Sequence, residues 1–241
     1  MNCLILAAGH GSRLRSVSPS KPLTPVCGIP LIEHVVTAAL QAGATSFVVV
    51  TGHEAERLEG FLAALRARLT ISLRSVRTPD WNRPNGLSVA AGAETIEGEY
   101  LLLMSDHLFD PAIARSLLAR GGSGGVRLAV DRALSGPLLD VDDATKVEVD
   151  EDGRILSIGK ALKRYNAIDT GIFVAAPALA EAIRADVAHG GGGSLSEGVQ
   201  RLADERRALT MDVHGGRWID VDDPASLALA QTLFEPAHRA A

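Results

Sequence analysis

Up to about residue 131 the chain alternates short runs rich in apolar residues, several of them unbroken, with stretches whose apolar residues recur at helical spacing. The runs Cys3–Ala7, Phe47–Val50, Ile71–Val76, Tyr100–Met104 and Val126–Val130 predict strands. Leu31–Leu40, Glu54–Arg68, Leu87–Glu94 and Pro111–Leu118 predict the helices between them, the first stopped by Gly43. A run that is apolar at every position, not at alternate ones, belongs to a strand covered on both faces. The expected fold is therefore α/β: a Rossmann-like, mostly parallel sheet flanked by helices, followed by a β-rich insertion.

Beyond that point the pattern changes. Thr145–Val149 and Arg154–Ile158 flank Asp150-Glu151-Asp152-Gly153, a hairpin signal with an Asp-Gly turn. Ile172–Ala175 predicts a strand, Pro177–Val187 and Ser194–Arg207 helices, and Leu209–Val213 and Arg217–Val221 short strands. Asp223-Pro224 caps a last helix that runs to Phe234. The glycine runs at 121–125 and 190–193 read as flexible surface loops, and Asp140, Asp142 and Asp143 as a solvated edge. With no internal repeat, a single domain over residues 1–241 is expected.

Composition narrows the function classes. Hydrophobic residues make up 46% of the 241 and charged residues 22%, a balance that builds a core without disulfide or metal staples. The net charge of −5 leaves no broad basic footprint for DNA or RNA. Two cysteines, Cys3 and Cys27, exclude a disulfide framework and a zinc finger, and Cys3 sits in an apolar run as a core residue. No apolar run approaches the ~18 residues of a membrane span, and the N-terminal run has no basic leader. No direct membrane insertion and a cytoplasmic location are expected. Of the 24 basic residues only Lys21, Lys146, Lys160 and Lys163 are lysine, which points to positions that need a compact ammonium.

The candidate chemistry begins where the first strand ends. In Leu6-Ala7-Ala8-Gly9-His10-Gly11-Ser12-Arg13-Leu14, small residues let backbone N–H groups approach a ligand, and Arg13 and Lys21 add positive charge. This is not a dinucleotide fingerprint, because Leu14 stands where a third glycine belongs and Thr51-Gly52 lacks the ribose-binding acid. A Walker loop is excluded by the absence of a Gly-Lys-Ser/Thr triplet.

Together, that loop and Lys21-Pro22-Leu23 resemble the signature of the sugar-phosphate nucleotidyltransferases, which make nucleoside-diphosphate sugars and alcohols. The resemblance extends along almost the whole chain. Asn85-Gly86-Leu87-Ser88 stands where that family has a loop-to-helix segment near the base, and Met104-Ser105-Asp106-His107 where it has a strand-terminal metal aspartate. Trp218-Ile219-Asp220-Val221-Asp222 looks like its second metal site. Ala144-Thr145-Lys146, Ile158-Gly159-Lys160 and Ile168-Asp169-Thr170-Gly171 look most like the CTP:inositol-1-phosphate cytidylyltransferases within the family. The resemblance implies a nucleotide-binding core over residues 1–131, an acceptor-binding region over 132–215, and a second metal acid with a closing helix over 216–241. It implies CTP and a phosphate-monoester acceptor as substrates and Mg²⁺ as cofactor. Such enzymes are often fused to a membrane phosphotransferase, so a functional link to a separate one is expected here.

The reaction explains the residue types. An acceptor phosphate, with a second pKa near ~6, is largely ionised and needs no general base. It needs cancelled repulsion between two anions, in-line positioning and a stabilised leaving pyrophosphate. Ala7, Ala8, Gly9, Gly11, Ser12, Arg13 and Lys21 are expected around the triphosphate. Asn85, Gly86 and Ser88 are expected at the base, where an amide and a hydroxyl both donate and accept. Asp106 is the expected metal ligand together with Asp222, Asp220 being the alternate, with a helix N-cap role for Asp222 or Asp223 as the competing reading. Lys160 would hold the acceptor phosphate; Lys146 stands either near it or on the hairpin surface. Asp169 and Glu197 either read acceptor hydroxyls or act as capping or salt-bridged acids, and His10 and His107 line the site without moving a proton. The alternatives are a sugar-1-phosphate or phosphocholine nucleotidyltransferase and, in another class, a non-catalytic nucleotide-binding regulator.

Overall fold

The computed structural model describes residues 1–79, 81–134 and 141–235. In chain order it runs β1 (Asn2–Ala7), a hairpin of β2 (Pro25–Val26) and β3 (Ile29–Pro30), α1 (Leu31–Ala42), β4 (Ser46–Thr51), α2 (Ala55–Leu69) and β5 (Ser72–Arg77). Then come α3 (Gly86–Ala93), β6 (Tyr100–Met104), β7 (His107–Phe109), α4 (Pro111–Arg120) and β8 (Val126–Asp131). The remainder is β9 (Lys146–Val149), β10 (Ile155–Gly159), β11 (Ala167–Ala175), α5 (Pro177–Ala188), α6 (Leu195–Asp204), β12 (Ala208–Asp212), β13 (Trp218–Asp220) and α7 (Pro224–Leu233).

One sheet runs through the molecule in the order β10-β9-β11-β6-β1-β4-β5, with β8 on β11 and β12 on β8. β5, β4, β1 and β6 are parallel neighbours, and β12 is parallel to β8. Alternate residues of β1 serve two separate cores. Cys3 and Ile5 pack with α1, α2 and α4 on one face, and Leu4 and Leu6 with α3, α5 and α6 on the other. Helices on both faces explain why β1, β4 and β6 are apolar through their centres, whereas the edge strand β5 buries only Leu73. Among the described residues no helix is long and apolar enough to cross a membrane.

β11 is the seam. One edge pairs with β8 along most of its length, while the other changes partner: Ala167 and Ile168 face β9, and Ile172 to Ala175 face β6. At the change the register against β8 slips, with Asp169 opposite Val130 and Phe173 opposite Leu128. The strand accommodates this at Gly171, φ +74°, where a Cβ would stand 2.3 Å from His107 Nδ1. Only glycine fits both the dihedral and the space.

Several local expectations change. The helix predicted to Arg207 stops at Asp204, β11 starts five residues earlier than its apolar run, and β7 and the β2–β3 hairpin were not foreseen. The two glycine runs are tied down by acids. Glu99 accepts from Gly122 N at 3.0 Å and Gly124 N at 3.2 Å, Asp186 from Gly193 N at 3.0 Å, and Glu197 from Gly192 N at 3.2 Å.

Candidate active site

Ligands of open α/β sheets bind beyond the carboxyl ends of the parallel strands. A cavity of about 320 Å³ lies there, between the loop after β1 and the start of α3. Its lining includes Ala7, Ala8, Gly9, Gly11, Ser12, Arg13, Lys21, Asn85, Ser88 and Asp106. Gly11, φ +56°, is needed because a Cβ would stand 2.3 Å from the Cβ of Lys21. That contact lets the lysine return beneath the loop to the strand ends.

A second cavity, of about 530 Å³, opens on the β9–β11 side and is lined by Lys160, Asp169, Asp220 and Trp218. Arg13, Asn85, Met104, Asp106 and Asp222 line both cavities, so these residues are their common wall. Pairing of β7 with β13 sets His107 opposite Asp220, and Val221 N donates to Asp106 O at 3.0 Å. Residues more than a hundred positions apart thereby form one acidic cluster.

Lys21 Nζ, only 9% exposed, donates to Asp106 and Asp222 and lies 4.0 Å from Asp220. Burial pulls its ammonium down, but the charges of Asp106, Asp220 and Asp222 outweigh it and hold the pKa above the lysine range. The same competition raises His107 to about 10, burial opposing and Asp220, 3.4 Å away, prevailing. Burial also works against the Asp220 carboxylate, which His107 and Lys21 nevertheless bring down to about 2. Asp222 is raised, by burial first and then by the charge of Asp220. Asp169 is partly buried at the bend of β11, where desolvation raises it to about 6, and it accepts from Gly171 N at 2.7 Å.

The cluster fits a divalent cation. Asp106, His107 and Asp220 each offer an atom within 4.8 Å of the others, and Asp220 Oδ1 is buried with no hydrogen-bond partner among the described residues. Carboxylate oxygens are the donors that hard cations take. Asp223, not Asp222, caps α7, accepting from Ser226 N at 2.7 Å, which leaves Asp222 facing the cavities.

Other expected residues serve the fold in whole or in part. Gly86 opens α3 but is packed against the backbone of Gly193, where a Cβ would stand 2.4 Å from its carbonyl oxygen. Asn85 Oδ1 accepts from Leu195 N at 3.1 Å, so its NH₂ is the part available to a ligand, not the whole amide. Lys146 is buried and donates to Lys160 O at 2.9 Å, which makes it a support behind the cavity wall. Glu197 closes the capping box of α6, accepting from Ser194 N at 2.7 Å, and the pattern Ser194-x-x-Glu197 was the signal for it. His10 packs edge-on to His53 at 4.4 Å and near Trp81.

Sequence reasoning missed Asp143, Trp81 and Arg83 as cavity lining. Asp143 is no solvated edge: it pairs with Arg13 and Lys160, each at 2.6 Å. Asp140 lies outside the described residues. The missed residues carry no local motif and reach the site only through the topology.

Residues 3–202 match the family described as the MobA-like NTP transferase domain. The chain is 35% identical over 234 residues to a bifunctional IPC transferase and DIPP synthase of Rubrobacter xylanophilus, covering 95% of this chain and 51% of that protein. It is 29% identical over 230 residues to the protein of the same name from Aquifex aeolicus, covering 95% and 50%. The chain thus spans about half the length of these curated relatives. Among solved structures it is similar to the inositol-1-phosphate CTP transferase from T. maritima, with a TM-score of 0.84 and 25% identity over 97% of this chain and 96% of that one. A UDP-glucose pyrophosphorylase complexed with UDP-glucose shares the fold, with a TM-score of 0.80 at 18% identity over 97% of each chain.

Proposed function

The chain belongs to the MobA-like NTP transferase family and is a nucleotidyltransferase, and from that premise we propose that it joins CTP to inositol 1-phosphate, giving CDP-inositol and pyrophosphate. The observation that carries this reading is the common wall: two cavities, with Lys21 on one side, Lys160 on the other, and Arg13, Asp106 and Asp222 between them. A reaction between two phosphates needs this layout, with one anion in each cavity and the bond exchange at the wall. A non-catalytic regulator would not require both acids and cations on both sides.

In this reading the 320 Å³ cavity takes the nucleotide and the 530 Å³ cavity the acceptor. Arg13 and Lys21 neutralise the triphosphate, and Lys160 draws the acceptor phosphate to the wall. The acceptor oxygen attacks the α-phosphorus, and the bond from that phosphorus to the β-phosphate oxygen breaks, releasing pyrophosphate. The ionised acceptor loses no proton, so neither His107 nor Asp169 need serve as base. Asp106, Asp220 and Asp222 would hold Mg²⁺, which when bound shields the triphosphate and the charge growing on the leaving group. His107 steadies Asp220, and Lys146 steadies the segment that carries Lys160. Asp169 is the remaining carboxyl on the acceptor side for ring hydroxyls, while Glu197 serves α6. At the base, Ser88 and the NH₂ of Asn85 supply donors for the cytosine edge, backbone groups of Ala7 or Ala8 completing the set. The reaction would run in the cytoplasm, and the activated alcohol would be the substrate of a membrane phosphotransferase.

The test is kcat/KM for four nucleoside triphosphates against inositol 1-phosphate, glucose 1-phosphate and phosphocholine. CTP with inositol 1-phosphate should be the maximum, with CTP ahead of UTP by roughly 10- to 100-fold, the cost of one mismatched buried pair. A maximum at UTP or dTTP with a hexose phosphate would overturn the substrates. Absence of pyrophosphate release from every pair would overturn the reaction.

A further inference from the structure

A chain of alternating charge crosses both cavities. Lys160 Nζ donates to Asp143 Oδ1 at 2.6 Å, and Arg13 Nη2 to Asp143 Oδ2 at 2.6 Å. The same Arg13 nitrogen lies 3.0 Å from Asp222 Oδ2, and Lys21 lies against Asp222 and Asp106. Every cation assigned above to a substrate phosphate therefore already holds a carboxylate. Asp143 is distinct among these acids. Among the described residues it caps no helix, and one of its oxygens meets Arg13 on the common wall while the other meets Lys160 on the acceptor side. Lys160 and Arg13 hold its carboxyl below the usual range, so the bridge is ionic.

We propose that Asp143 is a positioning residue which competes with both substrate phosphates and thereby makes them promote each other's binding. The inference rests on the proposed reaction only in giving Arg13 to the triphosphate and Lys160 to the acceptor phosphate. A phosphate carries more charge and more acceptor oxygens than a carboxylate, so it displaces Asp143 from either cation. While both pairs stand, each keeps the carboxylate beside the other cation at high effective concentration. Once one phosphate has taken its cation, that hold is gone, and the second phosphate meets a weaker competitor. Linkage makes the effect equal in both directions.

The experiment is calorimetric titration of the intact chain in metal-free buffer with tripolyphosphate and with inorganic phosphate, each alone and each in the presence of the other. Asp143→Asn and Asp143→Ala are compared with wild type, and their melting curves establish that they fold. In wild type each anion should tighten the other by about two- to five-fold, the scale of one half-exposed ion pair. In both variants each anion alone should bind tighter by about the same two- to five-fold factor, and the coupling should vanish. A merely structural role would not move the coupling factor. Weaker binding of either anion in Asp143→Asn would overturn the proposal, as would coupling that survives the substitution or is absent from wild type. Coupled binding without turnover on any nucleotide would sink the proposed reaction and leave this inference standing. Turnover with uncoupled anions would do the reverse.

Discussion

The sheet on the β1 side of β11 and the sheet beyond it meet their ligand cavities in different ways. β5, β4, β1 and β6 are parallel, the inner three apolar on both faces through their centres, and the chemistry is confined to their carboxyl ends. There the Gly9–Gly11 loop follows its strand directly, and Asp106 stands two residues after β6. Around β9, β10 and β11 the strands are antiparallel, and the cavity wall is drawn together by distant ion pairs such as Lys160 with Asp143. The first arrangement is set by strand pairing and by the glycine loop that brings Lys21 to the strand ends. The second depends on charges that the ligand itself must rearrange.

Asp106 lies on the wall between the two, so its loss should not distinguish them. Asp106→Asn should lower kcat by about 10²-fold or more with both substrates saturating, as for other groups that stabilise transition-state charge. Far-UV circular dichroism should be unchanged. Near wild-type turnover at saturating Mg²⁺ would remove Asp106 from the reaction.

Arg13→Ala and Lys160→Ala should separate the regions. Each deletes a charged donor, worth about ten-fold or more in KM for the phosphate it meets. Arg13→Ala should raise KM chiefly for the triphosphate, and Lys160→Ala chiefly for the acceptor. Equal effects of both changes on both Michaelis constants would collapse the distinction.

The seam can be broken at Gly171. Gly171→Ala forces a left-handed residue with a side chain into the space of His107. The expected loss is about 1–3 kcal/mol of stability, read as a fall in denaturant midpoint. Because the bend positions Asp169 and His107, KM for the acceptor should suffer more than KM for the triphosphate. An unchanged midpoint would mean that β11 bends elsewhere.

The same contrast governs what was legible in the sequence. The parallel half follows from local pattern: Cys3–Ala7 is apolar at every position, small residues follow it, and Lys21 returns within reach. The acid pair Asp106 and Asp222 was visible through resemblance, but what joins them was not. β7 is three residues long and finds β13 across more than a hundred positions, a pairing that no local periodicity encodes. Asp143 looked like one acid among several because its partners, Arg13 and Lys160, are 130 and 17 residues away. For Glu197 the choice between hydroxyl reading and capping could have been closed from sequence, since Ser194-x-x-Glu197 is a capping pattern in its own right.

The smallest effect tests whether polar contacts in the parallel half serve only the fold. Glu59 on α2 accepts from Thr51 Oγ1 at 2.6 Å and from both Nε and Nη2 of Arg77, at 3.1 and 2.6 Å. It ties the helix to the ends of β4 and β5, away from both cavities described above. Arg77 and Thr51 hold its carboxyl below its ordinary 4.5 despite the opposing effect of burial. A depressed carboxylate contributes its stability above the unfolded pKa and loses it as pH falls through the folded one. Glu59→Gln keeps an acceptor for Thr51 but removes the charge. Near neutral pH the variant should therefore melt about 1–3 °C lower, and below pH 4.5 the difference should shrink as wild-type Glu59 itself protonates. kcat and both Michaelis constants should stay at wild-type values. The ion pair of Lys160 with Asp143 is comparably exposed, so its loss should lower the melting temperature by a similar small amount, but unlike Glu59→Gln it should also move binding. A Glu59→Gln variant with an altered KM for CTP would show that the parallel half also couples surface charge to its ligand, and the contrast between the two regions would fail.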